Sequence, residues 1–249
     1  MFTGFGTVLN VVAVVVGAGL GLLVGHRLPQ RTRDVVTDAL GLVTLLIAAT
    51  SAAAVLDTEF GAAVGGSATI LVVLGALLIG GIAGSLLRVE ARLEGAGAAL
   101  QRRLSHDGDG EARRRFVEGF VTSSLVFCVG PLTILGSLSD GMGEGYEQLA
   151  LKATLDGFAA VAFAASLGWG VMASALAIAA VQGTLTVVGV VAGSVLDDAH
   201  VAAITATGGL LLVGVALRLL RMKPLPVGDL LPALAVAPLL VALVSTVRG

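Results

Sequence analysis

The sequence predicts an all-α polytopic membrane protein with about eight transmembrane helices, and three observations carry that expectation. Hydrophobic residues make up 56% of the 249 and charged residues only 13%, about half the charged share of a typical soluble domain. Apolar runs recur along the chain with short polar gaps, each run approaching the roughly 20 residues that a helix needs to cross a hydrocarbon core. The 35 glycines, with abundant Ala, Ser and Thr, would weaken soluble helices but let membrane helices approach closely and pack by van der Waals contact.

The first run, Phe5 to Gly25, has no Lys or Arg before it, and the first basic residues, His26 and Arg27, follow it. It reads as a retained span, not a secretory signal. Further spans are predicted near 35–56, 67–87, 117–138, 152–169, 171–194, 200–219 and 228–246. One transmembrane domain over 1–249 is expected, with a first repeat at about 5–87, a cytoplasmic segment 88–115, a central pair at about 117–169 and a second repeat at about 171–246.

The loops orient these spans, because Lys and Arg concentrate on the cytoplasmic side. Arg27, Arg31 and Arg33 lie in the first loop, and Arg88, Arg92, Arg102, Arg103, Arg113, Arg114 and Arg115 in the third; both are predicted inside. The second loop has Asp57 and Glu59 and no basic residue. The 139–151 loop, with Asp140, Glu144 and Glu147, and the loop near Asp197 and Asp198 are predicted outside. The basic loop with Arg218, Arg221 and Lys223 then falls inside only if 117–138 and its follower together make an even number of crossings. Eight spans in an inner membrane, with both termini outside, satisfy all of these.

The polar segment "LRVEARLEGAGAALQRRLSHDGDGEARRR" mixes charge signs at helical spacing and predicts a solvated helical hairpin. Its "DGDGE" is half of a calcium loop, lacking a third ligand before the glycine and the later Glu at fixed spacing. With a net charge of −2 and most of its few charges in loops, nothing in the sequence suggests a nucleic-acid partner. Cys128 is the only cysteine, which excludes an internal disulfide and a thiolate metal cluster.

"GTVLNVVAVVVGAGLG" at 6–21 resembles "GTLTVVGVVAGSVL" at 183–196, and "DALGLVTLLIA" at 38–48 resembles "TATGGLLLVGVA" at 205–216. Spans one and six face opposite ways, so a real repeat is of inverted topology, as in many secondary transporters. Gly6 starts its span while Gly183 lies within its own, and a helix break at Gln182-Gly183 would reconcile the two.

Polar groups within spans are costly unless paired or solvated. Asp156, in "KATLDGFAAVAF", is the sole acid well inside an apolar run. It is either an ion site or a boundary residue paired with Lys152 four residues earlier. Gln182, Thr184, Asn10 and Thr7 are polar lining or interhelical hydrogen-bonding groups. In "GFVTSSLVFCVGPLTILGSLSDG", Ser123 and Ser124 precede a break at Gly130 and Pro131. Either serine alone is expected to bond back to its own helix. Pro131 supplies no amide hydrogen and clashes with the carbonyl four residues back, at Phe127. The carbonyls freed there need protein, water or an ion, since lipid offers no donor. Ser123, Ser124 and Asp156 are thus a candidate set for a monovalent cation, with bound sodium the one expected ligand; a packing kink is the alternative.

"SSLVFCVGPLTILGSLSDG", "LKATLDGFAAVAFAASLGWGV", "QGTLT", "LLPALAVAPLL" and the opening "GTVLNVVAVVVGAGLG" together resemble the prokaryotic membrane family catalogued as domain of unknown function 554. The resemblance spans nearly the whole chain. Some members carry a sodium-transporter label, which implies a cation but no site residues. The expected function is therefore secondary transport of a small ion or solute, with sodium or a proton as transported or coupling cation. The partners are the lipid bilayer and that solute, and a homo-oligomer is compatible with the sequence. A membrane scaffold docking a partner through 88–115 is the second reading. An intramembrane enzyme is the third and weakest: no His-Glu-x-x-His motif occurs, His26, His106 and His200 fall at loops, and the serines have no nearby base. No nucleotide-binding Gly-x-x-x-x-Gly-Lys-Ser/Thr loop is present, which argues against a pump driven within this chain.

The topology is testable by single cysteines in a Cys128→Ser background. Those at positions 33, 102 and 221 are expected to resist an impermeant thiol reagent applied outside, and those at 144 and 198 to react with it. Labelling at 221 from outside would overturn the eight-span arrangement and the inverted repeat with it.

Overall fold

The computed structural model describes residues 2–25, 29–104, 110–128, 131–143, 145–192 and 197–248. These residues are helical with short connections, and no strand occurs among them. The helices are α1 (Phe5–Gly25), α2 (Gln30–Ala52), α3 (Thr58–Val64), α4 (Ala68–Leu87), α5 (Val89–Leu104), α6 (Gly110–Cys128), α7 (Pro131–Met142), α8 (Glu147–Leu167), α9 (Gly170–Ala192), α10 (Asp198–Leu219), α11 (Val227–Leu230) and α12 (Ala233–Arg248). Among the described residues, seven helical segments are long and apolar enough to cross a membrane, or eight if α6 and α7, bent by 62°, count as one span. The chain is a multi-pass membrane protein. Its "DGDGE" motif lies largely outside the described residues.

The helices gather into two compact units: Met1–Gly41 with Leu93–Ser194, and Leu42–Arg92 with Val195–Gly249.

In the first unit, α1 and α8 run parallel, and glycine is the reason they lie so close. A Cβ on Gly17 would stand 2.2 Å from the Gly157 carbonyl oxygen, and one on Gly21 the same 2.2 Å from that of Val161. At the two ends of this seam Gly6 meets Leu149 and Gly25 meets Ala165. The bent pair traverses this unit from end to end. Gly170 packs on the Phe116 carbonyl near the start of α6, at the level where α8 finishes. Toward the end of α7, Gly136 lies against Leu149, and Gly141 against Thr186 and Gly189. The pair and α8 therefore run through the unit in opposite directions.

Two expectations are corrected here. Helix α9 runs unbroken through Gln182 and Gly183, because an isolated glycine keeps its amide hydrogen and leaves the hydrogen-bond ladder intact. Asp140, assigned by sequence to an outer loop, is buried within α7. Its carboxylate accepts from the amides of Gly4 at 3.3 Å and Gly6 at 3.1 Å. It thus caps the start of α1 from another helix, where α1 has no acid of its own in its first turn.

The second unit packs Phe60, Val72, Ala76, Ala203, Ala206 and Ala237 into one core drawn from α3, α4, α10 and α12. The corner between α11 and α12 fits against Gly80 and Gly84 of α4. Glu90 and Asp229 cap each other: the Asp229 carboxylate accepts from the Glu90 amide at 2.9 Å, and the Glu90 carboxylate accepts from the Gly228 amide and from Arg218, each at 2.5 Å. Asp197 caps α10 through the His200 amide at 3.0 Å. Partial burial would raise its carboxyl, but the hydrogen bonds from His200 outweigh it and hold Asp197 below its usual range.

Glycine packing yields a paired prediction. Gly21→Ala should destabilise the protein by about 1–3 kcal/mol through overpacking, while Gly183→Ala, where a Cβ meets nothing within 4 Å, should leave stability unchanged or raised. Thermal unfolding in detergent compares them, and equal losses would refute the close α1–α8 seam.

Candidate functional site

Lys152 and Asp156 stand one turn apart on α8 and so share a face. The lysine ammonium lies 2.5 Å from the aspartate oxygen, and both residues are buried, at 6% and 8% exposure. The close α1–α8 seam brings Asn10 to the same carboxylate oxygen, its amide donating at 3.0 Å. Asp156 lies about 14 Å along α8 at 1.5 Å per residue, near the middle of the helix. The ion pair expected with Lys152 forms, but both side chains are buried within the unit and do not sit at a solvated boundary.

Helices α1 and α9 run antiparallel, with Gly19 near Met172 at one level and Thr7 hydrogen-bonded to Thr186 at 3.2 Å at another. One turn inward from that hydroxyl pair, helical register sets Asn10 and Gln182 at the same depth on facing helices. Both residues are fully buried. Asn10 Oδ1 and both amide atoms of Gln182 have no hydrogen-bond partner among the described residues. Each such group carries a desolvation cost of about 1–3 kcal/mol.

Thr184 does not join them. It is exposed and donates to the Ala180 carbonyl of its own helix at 2.6 Å, because two residues from Gln182 the helix has turned to its opposite side.

At the helix break, Gly130 lies outside the described residues. Pro131 opens α7, a position that tolerates its missing amide hydrogen. The Phe127 carbonyl is met by protein: Thr133 Oγ1 donates to it at 3.2 Å. The Phe127 ring is held edge-on to Phe163 of α8, centroids 5.9 Å apart. Ser123 and Ser124 do not bond back to their helix; their buried hydroxyls have no partner among the described residues and make no hydrogen bond to Asp156.

Of the seven buried side-chain atoms without a partner among the described residues, those of Asn10, Ser123, Ser124, Ser137 and Gln182 lie in the first unit and only Thr207 in the second. The same unit holds the buried carboxylates of Asp140 and Asp156 and the ammonium of Lys152. Among the described residues no three of His, Cys, Asp and Glu cluster as for a transition metal.

Sequence reasoning missed Thr186, Ser137 and Asp140. For Thr186 the signal was its four-residue spacing from Gln182; Asp140 was hidden by the glycine-rich "SDGMGEG", which reads as a turn.

Lys152→Met should destabilise the protein by about 3–5 kcal/mol, since it leaves a buried carboxylate unpaired. Adding Asp156→Leu should recover most of that loss. A double-mutant cycle on thermal unfolding measures the coupling, and simple additivity would show that the two side chains act independently.

The sequence matches the family described as "Protein of unknown function (DUF554)" over residues 5–242. It is 30% identical to the Uncharacterized protein YqgA of Escherichia coli (strain K12) over 232 residues, 93% of this chain and 94% of the relative. It is 26% identical to the Uncharacterized membrane protein YdfK of Bacillus subtilis (strain 168) over 238 residues, 95% of each. No solved structure matches. With nearly its whole length matched, the chain belongs to the DUF554 family.

Proposed function

We propose that the protein is a secondary transporter of a small ion or solute in a prokaryotic inner membrane, with sodium or a proton as the transported or coupling cation and both termini outside. The observation that carries this reading is Asp156, a buried ionisable side chain at mid-helix that holds the amide of Asn10, whose Oδ1, like both amide atoms of Gln182, has no partner among the described residues. Packing alone is served as well or better by apolar side chains of similar volume. Ionisable groups at such depth belong to ion pathways and coupling sites.

In this reading Asp156 supplies the negative charge, and Asn10 Oδ1 and Gln182 Oε1 supply neutral oxygens. Lys152 holds the carboxylate until a cation takes its place. Ser123 and Ser124 add hydroxyl oxygens from the helix that ends at the break. The protein performs no chemical conversion and draws on gradients across the membrane. The opening of α1 resembles in sequence the stretch that begins at Gly183, late in α9, and the two helices pack antiparallel, which suits an inverted repeat as the device for alternating access.

The test is ion flux in reconstituted vesicles carrying wild type, Asp156→Asn or Ser124→Ala at matched protein levels. Asp156→Asn should insert normally and lower sodium or proton flux at subsaturating concentration by about tenfold or more, the equivalent of one lost charge-assisted interaction of ~1.5–3 kcal/mol. If Asp156→Asn moves ions as well as wild type, the site assignment fails. If wild type moves neither ion, the transporter reading gives way to the scaffold docking through 88–115.

A further inference from the structure

A cleft of about 470 Å³ opens in the first unit where α1 and α8 finish and α6 begins, remote from the Asp156 pair. Its lining divides by chemistry. Glu111 and Arg115 lie one turn apart on α6 and line the cleft on its charged side; Leu22, Ala165, Phe116 and Trp169 form its apolar part. The division follows the sequence of α6, charged from Glu111 to Arg115 and largely apolar from Phe116 onward. The cleft therefore straddles the boundary between water and hydrocarbon, and tryptophan is enriched at that level.

Two contacts shape this wall. Arg115 Nη2 donates to the Ser166 carbonyl at 2.7 Å, which fixes the guanidinium at the rim. The Trp169 and Phe116 rings lie 4.3 Å apart between centroids and form the floor.

An occupant complementary to this lining is amphiphilic and carries both charges on its polar end. We propose that the cleft binds one phospholipid with a phosphoethanolamine headgroup, its phosphate on Arg115 and its primary ammonium on Glu111. Basic pockets between membrane helices bind lipid headgroups, and charge-assisted bonds to phosphate suit the planar guanidinium. Glu111 supplies the discrimination. A phosphoglycerol headgroup offers that carboxylate no positive partner, and a phosphocholine headgroup offers a charge with no N–H to donate. The proposal is independent of the transporter reading, since a structural lipid serves a scaffold equally well.

The experiment is thermal unfolding of the detergent-purified full chain, titrated with short-chain phosphatidylethanolamine, phosphatidylcholine or phosphatidylglycerol, and with soluble phosphoethanolamine. Phosphatidylethanolamine should stabilise wild type with an apparent affinity at least about tenfold tighter than the other lipids, as expected for one charge-assisted hydrogen bond. Glu111→Gln, at an exposed position, should fold normally and bring phosphatidylethanolamine to within about twofold of phosphatidylcholine, the remaining margin of a lost charged acceptor. Arg115→Gln should abolish stabilisation by all three lipids. Equal stabilisation of wild type by the three lipids overturns the proposal, as does a preference that survives Glu111→Gln. Soluble phosphoethanolamine binding as tightly as the lipid overturns the lipid assignment in favour of a free phosphate compound.

Discussion

Hydrocarbon offers no hydrogen-bond partner, so every polar group that enters a membrane must be satisfied by the protein itself or by something the protein holds. Helices answer this requirement for most of the backbone. Their ends and breaks are answered one by one from elsewhere in the fold: Asp140 takes the amides that open α1, Thr133 takes the carbonyl at the end of α6, and Glu90 and Asp229 exchange caps. Against that thoroughness the Asn10 Oδ1 and the Gln182 amide, without partners among the described residues, stand out. Of the side chains left open among the described residues, Asn10 touches the buried charge pair directly.

The close α1–α8 approach makes the pair what it is. Glycines on α1 bring its backbone against the carbonyls of α8, and this proximity lets a side chain as short as Asn10 reach Asp156. A larger residue along the seam would part the helices and leave the carboxylate with Lys152 alone. Small residues therefore position the site without touching it, a role distinct from the conformational freedom that glycine supplies in turns.

The charged pair shows how far local sequence reasoning reaches. Four-residue spacing correctly put Lys152 beside Asp156, and an apolar setting correctly marked Asp156 as unusual. Whether the pair faced water or protein depended on which neighbour covered that side of α8, which is a property of α1. Thr184 and Thr186 are equally polar and two residues apart, and only the position of α1 decides which of them is buried. The break at Gly130-Pro131 was legible because proline acts on its own helix, whereas the donor that meets Phe127 is a threonine hydroxyl that only the 62° bend brings into place.

The sequence alone determined the class of protein, the positions of the spans, the interruption between α6 and α7 and the family resemblance. These follow from transfer free energies summed over consecutive residues and from backbone chemistry confined to a turn or two, all of it written along the chain. The tertiary structure decided that Asp140 caps α1, that Thr186 and not Thr184 meets Thr7, and that Asn10 hydrogen-bonds Asp156. Each of these is a choice of partner between residues more than a hundred positions apart or a consequence of which helix face is covered. A buried polar group in lipid gains stability only from the partner that folding brings to it, and that partner has no signature in the residues adjacent to it.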